Sequence, residues 1–406
     1  MYLEKLFDIQ KIILDQFQKR PFYKRRVFKE FGMQNKVCGL VGPRGIGKTT
    51  FLLYKTIERG AREGQALYVS ADNIYFLENK LFDLVEYLYK ETDVRFLAID
   101  EIHKYSNWSQ ELKNISDVFF DFNILFSGSS SIDIIKSKYD LSRRVILYHL
   151  YGFSFREYLE FYLDIKFKKY SLDEVIVNHE KIVQEINMPD ILKYFKLYLI
   201  SGYYPFFKEF KLDTEKFQAI KNATQKTIYE DIATLYNLKT STLIVLEKIF
   251  NFVLNSQPGE LNANKLSNNL GKDFDSVSEY LKMLQESGLI RFLFMKKSGN
   301  AYLRNPQKMY PDNVNLIYAN FIGSNDANTL GKIRESFFIN QIQNIGKQAL
   351  YSDIGDFEVE KCFFEIGGKN KNMKQIADKK NAFLVKDNIL IGNKQSIPLY
   401  LFGFLY

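Results

Sequence analysis

Cysteine and histidine are scarce in this sequence of 406 residues, which contains two cysteines and three histidines. Cys38 and Cys362 lie far apart in the chain, and neither has a second cysteine nearby. They provide no disulfide framework and no cysteine-based zinc site. Three histidines also argue against a histidine-based metal cluster.

Long apolar runs are absent as well. No stretch of about 18 apolar residues occurs, which is the length that a membrane-spanning helix needs. The first residues, Met1–Lys5, carry charges where a signal peptide would need an apolar core. We therefore expect a cytoplasmic protein without a membrane partner.

Composition excludes two further classes of protein. Eight prolines and 22 glycines are too few for collagen or for Pro-rich linkers. A hydrophobic content of 46% with 26% charged residues excludes a mainly disordered chain. The net charge of +8 is compatible with nucleic acid as a partner, although many ordinary lysine-rich proteins share it.

The order of patterns along the chain predicts several domains. Short apolar runs alternate with helical patterns between residues 36 and 150, which is typical of a parallel sheet with crossover helices. Three helical patterns and an extended run follow between residues 241 and 300, as in a winged helix-turn-helix. We assign an α/β domain with a helical lead-in to 1–150, an aromatic-rich helical lid or linker to 151–240, a winged helix-turn-helix to 241–300 and an α+β domain to 301–406.

One segment, Gly42-Pro-Arg-Gly-Ile-Gly-Lys-Thr49, fits the phosphate-loop pattern G-x-x-x-x-G-K-[ST]. It follows an apolar run and opens a helical pattern, as a phosphate loop requires. Backbone N–H groups of such a loop surround phosphate, Lys48 reaches the β- and γ-phosphates, and Thr49 offers its hydroxyl to Mg²⁺. We therefore predict ATP, or its product ADP, and Mg²⁺ as ligands. The predicted nucleotide contacts are Gly42, Pro43, Arg44, Gly45, Ile46, Gly47, Lys48, Thr49, Thr50 and Ser127.

A second apolar run, from Phe96, ends in the two carboxylates Asp100 and Glu101. In an NTPase the first carboxylate holds the Mg²⁺ shell together with Thr49, and the second polarises the attacking water. The alternative is a strand that ends in two solvated acids. Because a complete phosphate loop precedes them, we favour the catalytic interpretation.

Two weaker signals lie further along the chain. The run from Asn123 to Ser127 leads into serines, of which Ser127 and Ser129 are candidates to sense the γ-phosphate. The alternative is a serine-rich loop that caps the next helix. Arg143 and Arg144 then precede another strand, and a guanidinium there could stabilise transition-state charge in its own subunit or in a neighbouring one. A solvated basic turn is equally compatible.

Five segments together resemble a known family: Gly42–Thr49, Leu97–His103, Phe126–Ser131, Leu141–Val145 and Gly152–Glu157. They resemble the bacterial and archaeal AAA-superfamily ATPases that carry a C-terminal domain of unknown function related to restriction endonucleases. The resemblance extends over most of the chain and implies an ATPase core, a winged helix and a nuclease-like C-terminal fold. The family usually has glycine before its arginine. Here Arg143 occupies that place, so Arg144 matches the family arginine.

The nuclease-like fold that the resemblance implies makes three C-terminal residues candidates for a metal-dependent nuclease site: Asp356, Glu365 and Lys369. Restriction-type nucleases use an acid and a Glu-x-Lys pair around Mg²⁺. Here the glutamate and the lysine are four positions apart rather than two, and Glu335 is a further candidate ligand. Because metal ligation tolerates little displacement, we favour a nuclease fold that has lost its site.

The sequence thus predicts a P-loop ATPase that couples ATP hydrolysis to a conformational change, with double-stranded DNA and further copies of the chain as candidate partners. A nucleotide-gated binding switch with little turnover and an ATP-dependent nuclease are the alternatives. DNA binding and protein binding are equally compatible with the winged helix. Its candidate phosphate contacts are Arg291, Lys296, Lys297 and Arg304.

Overall fold

Two units make up the chain in the computed structural model, Met1–Tyr151 and Gly152–Tyr406. The structure describes residues 2–32, 36–128, 141, 143–259, 263–295, 306, 308–320, 326–372, 376 and 379–406. The division of residues 151–406 into three domains stays a prediction.

Five short, largely apolar strands form a parallel sheet in the first unit. They are β1 Val37–Val41, β2 Ala66–Ser70, β3 Phe96–Asp100, β4 Asn123–Gly128 and β5 Val145–His149. The strand order is β2-β3-β4-β1-β5, and all neighbours are parallel. The central strands are buried along their length, as expected where helices cover both faces of a parallel sheet. The predicted α/β fold class is confirmed.

Helices connect and flank these strands. They are α1 Tyr2–Gln18, α2 Arg26–Glu30, α3 Lys48–Glu58, α4 Tyr75–Glu78, α5 Leu81–Glu91 and α6 Trp108–Val118. Apolar side chains such as Leu84, Leu97, Leu112 and Phe126 form one buried cluster between helices and sheet. Because β4 lies between β1 and β3, the loops after all three strands meet at the carboxyl edge of the sheet.

The second unit begins with helices and contains two π-helical turns. Its helices are Phe155–Leu163, Leu172–Ile186, Ile191–Leu197, Asp213–Lys226, Ala233–Tyr236, Thr240–Asn255, Ala263–Leu270, Phe274–Glu286, Val314–Asn320 and Ala327–Asn344. The π-helical turns are Tyr198–Gly202 and Thr227–Ile232. No helix of the described residues is both long enough and apolar enough to cross a membrane.

A seven-stranded sheet, in the order β12-β11-β10-β9-β8-β6-β7, completes the second unit. Its strands are β6 Ile290–Met295, β7 Lys308–Pro311, β8 Leu350–Tyr351, β9 Phe357–Val359, β10 Cys362–Gly367, β11 Ala382–Lys386 and β12 Ser396–Pro398. The strand β6 pairs antiparallel with β7 and parallel with β8. The extended run that we predicted at the end of the winged helix therefore shares a sheet with the C-terminal strands. The winged-helix assignment itself stays a prediction.

The apolar run at residues 398–405 has the composition of a strand, and its sequence predicts one, but this prediction is wrong. The strand β12 ends at Pro398, and Leu399–Phe404 is a 3₁₀ helix whose side chains are buried throughout. A short, uniformly apolar run carries no periodicity, so its sequence does not distinguish a buried strand from a buried helical turn.

Candidate nucleotide-binding site

The loop between β1 and α3 has the backbone of a phosphate cradle. Gly42, Gly45 and Gly47 have φ angles of 154°, 83° and 97°. A Cβ atom at Gly42 would lie 2.2 Å from the carbonyl oxygen of Leu150, so the loop requires glycine there. The helix α3 begins at Lys48 directly after the loop, and its first N–H groups therefore face the cradle.

Lys48 extends back over the same loop. Its Nζ donates to the carbonyl oxygens of Gly42 at 2.7 Å and of Pro43 at 2.8 Å. These contacts hold the ammonium group against the loop that the sequence predicted to surround phosphate. Thr50 lies two residues after Lys48 in the first turn of α3, and the side chain of Ile46 in the loop is buried.

A buried carboxylate, Asp100, faces the start of α3 from the end of β3. Its Oδ2 accepts hydrogen bonds from Thr49 Oγ1 at 2.6 Å and from Tyr68 Oη at 3.0 Å. Its Oδ1 accepts a hydrogen bond from Ser127 Oγ. A carboxylate and a hydroxyl are the hard oxygen ligands that Mg²⁺ prefers beside nucleotide phosphates, so Thr49 and Asp100 fit that ion.

Tyr68 is a member of this cluster that the sequence did not reveal. Burial, and then the negative charge of Asp100, raise the pKa of the Tyr68 phenol, so it remains a hydrogen-bond donor at neutral pH. It belongs to β2, in which Ser70 is the register partner of Asp100. This pairing of β2 with β3 brings the side chains of Tyr68 and Asp100 together, and no sequence motif indicates it.

Glu101 stands directly beyond the end of β3. Its backbone is left-handed, with φ 50° and ψ 48°, a conformation that turns its side chain away from the alternation of the strand. The N–H of Glu101 donates to Ser127 Oγ at 2.9 Å, so Ser127 links both neighbouring acids. The carboxylate lies 3.7 Å from Nη1 of Arg44 in the phosphate loop. Ser129 lies outside the described residues.

Arg144 is not placed beside the phosphate loop of its own copy. Val145 pairs with Val37, so residue 144 is level with the amino end of β1, whereas the loop follows its carboxyl end. Five strand residues, about 16 Å at about 3.3 Å each, separate the two. Arg144 instead binds Asp117 with Nε and Nη2, at 2.8 and 3.2 Å. Arg143 is exposed in the same turn.

Arg25 also reaches the phosphate loop, which sequence patterns did not indicate. Its side chain is buried, and Nη1 donates to the carbonyl oxygens of Tyr151 at 2.7 Å and of Ile46 at 3.5 Å. In the sequence it is one of three consecutive basic residues, Lys24 to Arg26, and no motif distinguishes it from its neighbours.

Of the candidate nuclease residues, Glu335 and Asp356 lie close together, because both contact the same lysine. Lys308 Nζ lies 3.3 Å from Glu335 Oε2 and 3.6 Å from Asp356 Oδ1, so an internal ammonium group bridges the two acids. Burial, and then the charge of Asp356, raise the pKa of the Glu365 carboxyl. Among the described residues, no group of three or more His, Cys, Asp and Glu side chains is arranged to hold a metal ion.

The lysine that contacts Glu365 is Lys371, whose Nζ lies 2.5 Å from Oε1, rather than Lys369. The strand β10 ends at Gly367, so the alternation of a strand does not extend to Lys369. A Cβ at Gly367 would lie 2.5 Å from the Lys371 side chain, so glycine leaves room for that lysine to turn back.

The candidate phosphate contacts of the winged helix are not supported at Arg291. Its side chain is buried, and Nη2 forms an ion pair of 2.8 Å with Asp312. Because this ion pair lies in the interior of the second unit, Arg291 is not available to contact DNA. Lys296, Lys297 and Arg304 lie outside the described residues.

Residues 34–159 match a protein-family model described as an AAA domain, AAA_14. Most of this match lies in the first unit, which ends at Tyr151. The AAA match spans β1 through β5 and so includes the phosphate loop, Asp100 and Glu101. Residues 192–319 match a second model, described as a domain of unknown function, DUF8612.

A curated relative, an uncharacterized protein of Methanocaldococcus jannaschii, is 27% identical over 289 residues. The alignment covers 66% of this chain and 59% of the relative, so the chain spans well under two thirds of the protein it matches.

Two solved structures are among those similar to this chain. AMPPCP-bound DnaA from Aquifex aeolicus is 17% identical with a TM-score of 0.27, over 65% of this chain and 90% of its own. The S. cerevisiae Hsp104–ADP complex is 14% identical with a TM-score of 0.28, over 68% of this chain and 39% of its own.

Proposed function

We propose that this chain is a Mg²⁺-dependent ATPase that uses hydrolysis in its AAA domain to change the conformation of the second unit. The observation that carries the proposal is the hydrogen bond of 2.6 Å between Thr49 and Asp100 beside a glycine-dependent phosphate loop. Two residues that are 51 positions apart in sequence thereby form one oxygen-donor site at the carboxyl edge of the sheet.

Each residue of the site has a role in this proposal. Lys48 binds the β- and γ-phosphates, and Thr49 and Asp100 would hold Mg²⁺. When bound, Mg²⁺ would neutralise phosphate charge and orient the γ-phosphate. Glu101 accepts a hydrogen bond from the attacking water and orients it. Ser127 keeps both acids in place, because it donates to Asp100 and accepts from the Glu101 N–H.

The first test compares ATP binding and turnover of the wild-type chain with those of Lys48→Ala. The variant loses a charged contact to phosphate, which is worth about 1.5–3 kcal/mol. At about 1.4 kcal/mol per decade, ATP affinity should fall roughly ten-fold or more. Turnover should require Mg²⁺ and stop with a chelator. Equal affinity of variant and wild type for ATP would disprove the phosphate-loop role.

We further propose DNA as a partner of the second unit. Support comes from the net charge of +8 and from three helices that precede an antiparallel pair of strands. Charge reversal at Lys296 and Lys297 should weaken duplex binding equally for all sequences, and should reduce the salt dependence by about one unit of slope per lost contact. If the wild type binds no duplex at low salt, the segment is a protein-binding module.

A nucleotide-gated switch is the main alternative. It shares the binding site but needs no base at Glu101. Tight ATP binding without turnover, with or without DNA, would favour the switch over the ATPase. A nuclease is not favoured, because Lys308 already bridges Glu335 and Asp356.

A further inference from the structure

Arg44 occupies one of the four open positions of the phosphate-loop pattern, so the general motif assigns its side chain no task. The pattern G-x-x-x-x-G-K-[ST] leaves its position open, because a phosphate cradle is made of backbone N–H groups. In this chain the guanidinium group nevertheless extends to the edge of the site and lies 3.7 Å from the carboxylate of Glu101. The side chains are only 16% and 32% exposed, so the pair is partly shielded from solvent.

The main chain of Glu101 is fixed, but its side chain is long. The left-handed backbone and the hydrogen bond to Ser127 determine where the Cβ atom points. Three side-chain torsions, χ1 to χ3, still determine where the carboxylate lies, and ordering them costs conformational entropy. A cation at the far end of the side chain would supply the missing restraint.

Within the described residues, the ion pair of Glu101 is with Arg44. Lys48, the other cation of the loop, is directed elsewhere, because its Nζ donates to two loop carbonyl groups. The separation of 3.7 Å exceeds hydrogen-bond length, so Arg44 attracts the carboxylate electrostatically and does not form a bidentate pair of hydrogen bonds with it.

We propose that Arg44 is the positioning residue for Glu101, and that it holds the carboxylate where this group orients the attacking water. The proposal rests on the ATPase function proposed above. It also connects the phosphate loop directly to the proposed base, because Arg44 belongs to that loop and Glu101 follows the end of β3. If Arg44 acted on phosphate instead, its loss would weaken ATP binding rather than turnover.

The test measures single-turnover ATP hydrolysis and AMPPCP affinity of Arg44→Met and Arg44→Lys. Misplacement of a catalytic group by about 1 Å costs up to about 10²-fold, so Arg44→Met should lower the hydrolysis rate roughly 10- to 100-fold. AMPPCP affinity should stay within about three-fold, below 1 kcal/mol. Because the contact is not bidentate, Arg44→Lys should recover most of the rate.

A double-mutant cycle with Glu101→Gln separates positioning from general damage. In the Glu101→Gln background no carboxylate remains to be held, so adding Arg44→Met should change the residual rate little. The matched control is Arg95→Met, which removes another long arginine–carboxylate pair, 3.9 Å to Asp121, and should leave the rate unchanged.

Two results would overturn the role of Arg44. One is that Arg44→Met lowers the hydrolysis rate by the same factor in the Glu101→Gln background as in the wild type. The other is a loss of AMPPCP affinity as large as the loss of rate. A wild-type chain that binds AMPPCP but never hydrolyses ATP would instead disprove the ATPase function, and the role of Arg44 with it.

Discussion

At the scale of single residues, the site depends on Ser127, which contacts both neighbouring acids. One hydroxyl group donates to the Asp100 carboxylate and accepts the N–H of Glu101. Ser127 is fully buried, so these two partners are not replaced by water. The geometry of the proposed cation site and that of the proposed base are therefore set by one side chain on β4, the strand between β1 and β3.

Glu101→Gln should separate binding from hydrolysis. The substitution keeps size and hydrogen-bonding capacity but removes the proposed base, and loss of a general base typically costs about 10²–10⁴ in rate. ATP affinity should be retained, because Lys48, Thr49 and Asp100 are unchanged. Rapid-quench hydrolysis and equilibrium ATP binding on the same preparation check this. Hydrolysis at the wild-type rate would contradict the role of Glu101.

At the scale of helices and strands, Lys332 connects two helices of the second unit. It belongs to the helix Ala327–Asn344 and is buried. Its Nζ donates to the carbonyl oxygens of Val253, Leu254 and Ser256 at 2.5, 2.8 and 2.7 Å, where the helix Thr240–Asn255 ends. The lysine thus supplies donors for carbonyl groups that a helix end leaves unpaired.

Lys332→Met should destabilise the second unit by about 1–3 kcal/mol, because it leaves these buried carbonyl groups without a donor. Urea unfolding followed by circular dichroism measures the change. The surface variant Lys347→Met, which removes a partly exposed ion pair with Glu360, should stay within about 0.5 kcal/mol of wild type. Equal effects of the two variants would contradict the capping role.

The same lysine gives the stability a pH dependence. Burial lowers the pKa of Lys332 to about 7, below its value of about 10.4 in an unfolded chain. Between these values the unfolded state binds more protons than the folded state, so this contribution to the free energy of unfolding rises with pH. Unfolding measured at pH 7 and pH 9 should show this rise in the wild type and lack it in Lys332→Met.

The motif Gly152–Glu157, one basis of the family resemblance, has a structural explanation at the same scale. Ser154 Oγ and Arg156 Nε donate to the carbonyl oxygen of Tyr406 at 2.8 and 3.0 Å. Ser154 and Glu157 also form a capping box at the start of the helix Phe155–Leu163. The motif therefore joins the first helix of the second unit to the last described residue.

At the scale of the whole molecule, the sequence predicted what is contiguous in the chain and missed what depends on strand pairing. The phosphate loop and the strand that ends at Asp100 each consist of a few consecutive residues, so both can be recognised in the sequence. Tyr68 and Arg25 reach the site only through the sheet and the folded lead-in. The position of Arg144 likewise follows from the register of β5 against β1, which no local pattern encodes.

The position of Arg144 leads to a test by complementation. If Arg144 serves the nucleotide site of a neighbouring copy, Arg144→Ala and Lys48→Ala should each be nearly inactive alone. A mixture should regain activity, because Lys48→Ala supplies an intact arginine to the working site of Arg144→Ala. ATP hydrolysis at varied mixing ratios measures the recovery. A mixture no more active than its components would disprove a role for Arg144 in a neighbouring copy.

Such an arrangement has a consequence for symmetry. A copy that presents an arginine at one edge of its sheet and a nucleotide at the other makes head-to-tail contacts rather than two-fold ones. Repeated contacts of this kind close into a ring or continue as an open helix, and in an open chain one end always has an uncompleted site. Specific activity would then follow mass action and increase with protein concentration, so that the amount of protein in the cell would itself regulate the enzyme.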